Sequence, residues 1–151
     1  DTPGQIELFA YRQSGPFFVN EFVAEEKMNL FLFDGTMVST QSNFVSLTLL
    51  STSIRLRLGL PTVNVITKTD LIQEKLERVL SWSGTDSQLE ADVAGEVNGD
   101  TFSLVSDMLS SLNRHDFQQD LIPISNVTGD GMVNLQSALS RTINLGEELE
   151  D

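Results

Sequence analysis

Hydrophobic positions along the chain follow two rhythms. Three short, mainly apolar runs, at 28–33, 62–66 and 121–124, have the length of buried strands. Elsewhere an apolar residue recurs every three or four positions. From Ser39 or Thr40 to Leu58, the residues Phe44, Leu47, Leu50, Ile54 and Leu58 share one face. Val45, Leu49 and Leu56 widen it, which predicts a well-buried helix. Gly59 and then Pro61 stop that helix in the usual order. Further helices are predicted over 71–80, 87–97, 101–112 and 132–143. Gln73 follows Asp70 at the spacing of a capping box, and Asn98-Gly99-Asp100 reads as a turn. Gly146 leads into an acidic end. The stretch 6–26 reads as helix interrupted near Gly15-Pro16.

Strands separated by helices predict an α/β fold: a mainly parallel sheet with helices on both faces. Ligands of such sheets bind beyond the C-terminal ends of the strands. Asp34-Gly35, the stretch 67–70 and the stretch 125–131 all follow predicted strands, so the three polar segments converge on one candidate site.

Bulk properties narrow the chemistry. The 151 residues suffice for one domain with a sizeable core, and an apolar share of 40% is that of a folded protein. A net charge of −13 opposes phosphate backbones, so neither nucleic acid nor an anionic membrane is an expected partner. Without cysteine there are no disulfides and no thiolate metal sites, which suits a reducing compartment, and a cytoplasmic location is expected. No apolar run approaches the ~20 residues of a membrane span.

Three motifs carry candidate chemistry. Asp1-Thr2-Pro3-Gly4-Gln5 has the form Asp-x-x-Gly. Asp1 can hold hydrated magnesium, Gly4 lets a backbone N–H approach a terminal phosphate, and Gln5 can orient an attacking water. The same residues also suit a plain turn. In Thr67-Lys68-Thr69-Asp70, a carboxylate can accept two parallel hydrogen bonds from the N1–H and exocyclic amine of guanine, a donor pair adenine lacks. Lys68 can lay its methylene stem along the base. Asp70 is equally placed to cap the following helix. Ser125-Asn126 can present a backbone N–H to the guanine O6, with Gly129-Asp130-Gly131 shaping the loop; an ordinary strand-to-helix connection fits the same residues.

These motifs stand in the order of a GTPase core. The opening Asp1–Glu7, continuing through Leu8-Phe9-Ala10-Tyr11-Arg12 and Ser14-Gly15-Pro16, resembles the archaeal and eukaryotic GPN-loop GTPases. So do Arg55-Leu56-Arg57-Leu58-Gly59, the stretch 67–71 and the loop 125–131, and the likeness runs over essentially the whole chain. It implies a three-layer P-loop fold and a GTP hydrolase that uses magnesium and works as a dimer, a homodimer being expected. On this resemblance Asp1 stands on the magnesium side, Gly4 at the γ-phosphate, and Gln5 and Glu7 around the catalytic water. Thr67, Lys68 and Asp70, with Ser125 and Asn126, take the base.

The chain departs from the family pattern at Thr67, where many GTPases have Asn, and at Asn126, where Ala is common. It contains no Gly-x-x-x-x-Gly-Lys-Ser/Thr and no Gly-Pro-Asn; Gly15-Pro16-Phe17 is the nearest approach. The expectation is therefore a single domain over 1–151 that is the C-terminal part of a GTPase, incomplete at its N-terminus and inactive alone. A helical insertion is expected over about 81–120, serving dimerisation or docking of a client protein. The alternative function is a non-catalytic, nucleotide-regulated assembly protein. Trp82 is expected in the core, and His115 beside Asp116 in a solvated loop. Arg55 and Arg57 either complement a helix C-terminus or meet a partner subunit.

Overall fold

β-branched residues dominate the run at 62–66, and Leu and Phe the run at 28–33; all three runs form strands. A computed structural model of the chain describes residues 6–38, 40–83 and 121–147, together with 89, 103–104, 107–108 and 111. Strands β1 (Asn29–Asp34), β2 (Thr62–Thr67) and β3 (Leu121–Pro123) make a parallel sheet in the order β1-β2-β3. Each boundary lies within one residue of that predicted. Ile124 falls just beyond β3, yet its N–H still reaches the carbonyl of Ile66 at 2.9 Å.

The helices are α1 (Ile6–Tyr11), α2 (Ser14–Glu21), α3 (Gln41–Leu58), α4 (Gln73–Leu80) and α5 (Met132–Glu147), with a 3-10 turn over Thr69–Leu71. The break between α1 and α2 falls at Arg12-Gln13, ahead of Gly15-Pro16. Pro16 sits in the first turn of α2, where a missing N–H removes no intrahelical bond. The helix predicted from 71 begins instead at Gln73, after the 3-10 turn. Its capping box does not form: Ile72 occupies the N-cap, with no side-chain cap. Helix α5 runs four residues past its predicted end at 143 and through Gly146. The helices predicted over 87–97 and 101–112, the insertion they compose and His115 lie outside the described residues apart from the isolated positions named above.

Helix α3 starts at Thr40, whose side chain accepts the N–H of Asn43, and ends at Gly59 in the left-handed conformation. Its buried face differs from the predicted one. Gln41, Thr48 and Ser51 are buried while Leu56 is largely exposed. Polar residues are tolerated there because they are bonded: Ser51 Oγ meets Asn64 Oδ1 of β2 at 2.7 Å, and Thr48 Oγ1 donates to the Phe44 carbonyl at 2.9 Å.

The core has two halves, one on each face of the sheet. On one, Phe31, Phe33 and Ile66 meet Phe44, Val45 and Ile54 of α3, and Val79 of α4. Trp82 and Leu89 join them, so Trp82 packs as expected. Rings run in series from Phe33 to Phe44 (6.1 Å between centroids) and on to Trp82 (5.7 Å). Full burial of one such side chain contributes about 1.5–3 kcal/mol. On the opposite face Val63, Val65 and Ile124 pack under Leu135 and Leu139 of α5. Strand β2 is thereby covered on both sides. Strand β1 is covered on one: Leu30 and Leu32 remain exposed.

Candidate functional site

The parallel register sets Asp34 opposite Thr67, and β3 continues beside β2. The C-terminal ends of all three strands therefore open on one edge of the sheet. The strand ends are tied closely. Gly35 N–H donates to the Thr67 carbonyl at 3.0 Å, and Thr67 Oγ1 donates to the Phe33 carbonyl at 3.2 Å. A Cβ at position 35 would come within 2.5 Å of the Thr67 oxygen, so only glycine allows this approach. Thr67, the departure from the family pattern, thus spends its hydroxyl joining β2 to β1.

Past Thr67 the chain turns sharply. Lys68 has φ 57° and ψ 35°, the only positive φ among the described non-glycine residues. Its Nζ lies 2.6 Å from Asp34 Oδ2. Asp34 Oδ1 in turn accepts the Thr36 N–H at 3.0 Å and the Thr36 hydroxyl at 2.7 Å. The hydrogen bond from Lys68, then that from the Thr36 hydroxyl, hold the Asp34 carboxyl below the usual aspartate range against a small opposing effect of burial. Asp34 was visible in the sequence as a polar strand end but gave no sign of a role. A single Asp-Gly after a strand reads as a turn.

Asp70 does not cap α4. Its Oδ1 accepts a hydrogen bond from the Ser125 hydroxyl at 2.6 Å, joining the two predicted base-reading loops. Ser125 is fully buried. Its Oγ also accepts the N–H groups of Val127 and Thr128, each at 3.2 Å. The rest of the loop is closed internally. Ser125 N–H donates to the Asp130 carbonyl, Gly129 N–H to the Ser125 carbonyl, and Asp130 N–H to the Thr128 hydroxyl. From Ser125 to Asp130, every backbone N–H except that of Asn126 has an acceptor among the described residues. Gly129 and Gly131 both have positive φ, and a Cβ at 131 would lie 1.9 Å from the Pro123 carbonyl oxygen.

The site thus assembles Thr67, Lys68, Asp70, Ser125 and Asn126 at one sheet edge. Asp1, Gly4 and Gln5 lie outside the described residues. Glu7 lies in the first turn of α1, and its side chain is outside them too. Helix α1 is tied to α3 by Arg57. The guanidinium donates to the Ala10 carbonyl (3.4 Å) and the Tyr11 carbonyl (3.1 Å), and lies 5.2 Å from the Tyr11 ring centre. Tyr11 and Ser53 join hydroxyls beside it. Arg57 therefore serves the C-terminus of a neighbouring helix rather than its own.

A cleft of about 480 Å³ opens between the Gly35–Thr36 turn and α4. It shares Asp70 with the two loops that follow β2 and β3, but Lys68, Ser125 and Asn126 do not line it. Among the described residues no group of three or more His, Cys, Asp or Glu is placed to hold a metal ion. Also among them, no helix is long and apolar enough to cross a membrane.

A parallel sheet with helices on both faces and two loops converging at its C-terminal edge defines a P-loop-type α/β fold. The crystal structure of a GTPase in apo form from Pyrococcus abyssi has this fold. It superposes with a TM-score of 0.78 at 20% identity, over 94% of this chain and 56% of that one. A family model described as conserved hypothetical ATP binding protein matches residues 1–145. GPN-loop GTPase 1 of Saccharomyces cerevisiae is 28% identical over 153 residues, covering 95% of this chain and 39% of that protein. GPN-loop GTPase 3 of the same yeast is 35% identical over 89 residues, covering 54% of this chain and 33% of that protein. The chain belongs to the GPN-loop GTPase family. It spans well under half the length of these two yeast relatives.

Proposed function

We propose that this chain supplies the guanine-reading half of a GTP hydrolase. The observation that carries the reading is the pairing of Asp70 with the loop of Ser125. Ser125 fixes one carboxylate oxygen of Asp70, and the second has no partner among the described residues. The Asn126 N–H is likewise without an acceptor among the described residues. Together they offer acceptors for the N1–H and amine of guanine and a donor for its O6. Adenine presents the opposite pattern on that edge and would leave a carboxylate facing a lone pair. The family model's description names ATP, whereas the relatives are named GTPases. The chemistry of Asp70 favours guanine; Thr67, whose hydroxyl is engaged with β1, adds nothing to it, so the preference rests on Asp70.

Hydrolysis to GDP and phosphate would be catalysed mainly by positioning. Gln5, with Glu7, would place the attacking water, and Gly4 would present its N–H to the terminal phosphate. Asp1 would hold magnesium through water; when bound, the ion neutralises charge on the phosphates. Residues 1–151 contain no Gly-x-x-x-x-Gly-Lys-Ser/Thr, so this polypeptide alone should bind GTP poorly. The test is competition between GTP and ATP, with magnesium, on the full-length protein including any segment that precedes Asp1. Tight GTP binding resistant to ATP supports the reading; equal competition rejects Asp70 as a guanine reader. Gln5→Ala should then slow hydrolysis far more than it weakens binding.

A partner protein is the second reading, and a specific surface favours it. Phe17, Phe18, Phe22 and Val23, on and just after α2, are all more than half exposed. Apolar exposure of this kind marks interaction surfaces. A second subunit or a client protein would dock here, in addition to the role expected of 81–120. Light scattering of the full-length protein with Phe17→Ser and Phe22→Ser distinguishes a dimer contact, which these changes would break, from a client site, which they would leave dimeric.

A further inference from the structure

Lys68 poses a problem of cost. A non-glycine residue in the left-handed region is strained, and such strain persists where surrounding structure over-determines it, most often at functional positions. Three constraints act here. The Thr67 carbonyl is held by Gly35, the Lys68 carbonyl accepts the Leu71 N–H at 3.0 Å, and the Lys68 ammonium is held by Asp34. The last does not repay the strain as stability. Side-chain exposure of 54% for Lys68 and 30% for Asp34 makes theirs a solvent-exposed ion pair, a class with little net effect on folding. The pair is nevertheless built with care. Both hydrogen bonds from Thr36 fall on Asp34 Oδ1, which leaves Oδ2 aimed at Lys68.

We infer that Asp34 is a positioning residue for nucleotide recognition, holding the stem of Lys68 in place beside Asp70 before the base arrives. The inference rests on the reading of Asp70 as the guanine acceptor. A lysine stem has four rotatable carbons, and a base that must order it on docking loses affinity to that ordering. With Nζ already fixed, the methylenes form a standing apolar wall next to the carboxylate. Thr36 fixes Asp34, Asp34 fixes Lys68, and the αL turn delivers Lys68 to both.

The test is a double-mutant cycle on the full-length protein, read as GTP dissociation constants by calorimetry. Asp34→Asn keeps an oxygen for Thr36 but turns an amide toward the Lys68 ammonium. It should weaken GTP binding roughly three- to tenfold, the effect of one long side chain left to be immobilised on binding. In a Lys68→Met background, where no ammonium remains to be held, Asp34→Asn should have no further effect. Thr36→Ala, which leaves the ion pair's own atoms intact, should weaken binding in the same direction by less, and again only when Lys68 is present. This variant carries the test if Asp34→Asn does not fold. An equal loss in both backgrounds, or wild-type affinity in both Asp34→Asn and Thr36→Ala, overturns the inference. Asp70→Asn separates the two levels. If it abolishes GTP preference while Asp34→Asn binds normally, the role of Asp34 alone falls. If Asp70→Asn also binds normally, the guanine reading falls with it.

Discussion

The Ser125 hydroxyl donates to Asp70 Oδ1 at 2.6 Å across 55 residues of sequence. Together with the bond from the Thr69 N–H to the Ile124 carbonyl (3.3 Å), that contact joins the segments after β2 and β3, and it gives Ser125 three jobs at once. The same oxygen accepts two backbone N–H groups of its own loop.

Ser125→Ala should therefore do more damage than loss of one hydroxyl at a surface. A hydrogen bond to a charged group contributes roughly 1.5–3 kcal/mol, and the orphaned amides of Val127 and Thr128 add to the loss. Urea denaturation should show a destabilisation in that range, and GTP binding by the full-length protein should weaken with it. A stability within ~0.5 kcal/mol of the wild type would contradict the packing described.

The two glycines of that loop should respond differently to the same change. At Gly129 (φ 81°) an added Cβ meets nothing within 4 Å, so Gly129→Ala carries only the left-handed penalty of about 1–2 kcal/mol. At Gly131 (φ 78°) the Cβ would fall 1.9 Å from the Pro123 carbonyl oxygen. Gly131→Ala forces the loop and β3 apart and should cost at least ~3 kcal/mol. Equal melting temperatures for the two variants would show that the loop relaxes freely.

Much of this was legible beforehand, and the reasons differ by element. Thr40 and Gly59 bracket α3 because capping chemistry is local and needs no tertiary partner. The strands could be read because β2 is covered on both faces and its composition shows it. The polar face of α3 could not be read. Gln41, Thr48 and Ser51 look like surface residues in the sequence, and the partner of Ser51, Asn64, lies on another element, β2. Asp70 illustrates the same limit at the site. Its spacing to Gln73 suits a cap, and only Ser125, far along the chain, turns the carboxylate to another use. Asp34 and the left-handed Lys68 had no sequence signal beyond a turn-like Asp-Gly and a polar tetrad.

Asp34 makes a pH prediction with a definite sign. Its folded-state pKa is depressed, first by the hydrogen bond from Lys68 and then by that from Thr36. A depressed carboxyl contributes stability above its unfolded value and loses it as pH falls through the folded value. The contribution, small for a pair this exposed, should thus be intact at neutral pH and disappear only below about pH 4. Carbon-13 NMR titration should place the Asp34 midpoint below that of an ordinary aspartate, and Lys68→Met should move it up. A midpoint unmoved by Lys68→Met would mean that the pair does not form in solution.

Arg57 is expected to hold α1 rather than to stabilise α3. Arg57→Ala removes two hydrogen bonds to helix-terminal carbonyls and the contact with the Tyr11 ring, together about 1–2 kcal/mol. Hydrogen exchange should quicken at the amides of α1 and stay slow in the middle of α3. Arg57→Lys should recover only part of the protection, since a single ammonium cannot match the planar fork. Uniform quickening across both helices would point to global destabilisation instead.

The order of the strands has a consequence for when the site comes into being. The link from Thr67 to Phe33 closes 34 residues of chain, whereas the link from Ser125 to Asp70 closes 55. Longer closures are met later, because their entropy is lost before any contact rewards it. The β1–α3–β2 unit should therefore assemble first, and the nest around Asp70 should be the last part of the sheet to acquire its shape. In the full-length protein, refolding followed by a guanine-nucleotide probe should then lag refolding followed by Trp82 fluorescence. The competence to bind would act as a built-in signal that the third strand has arrived.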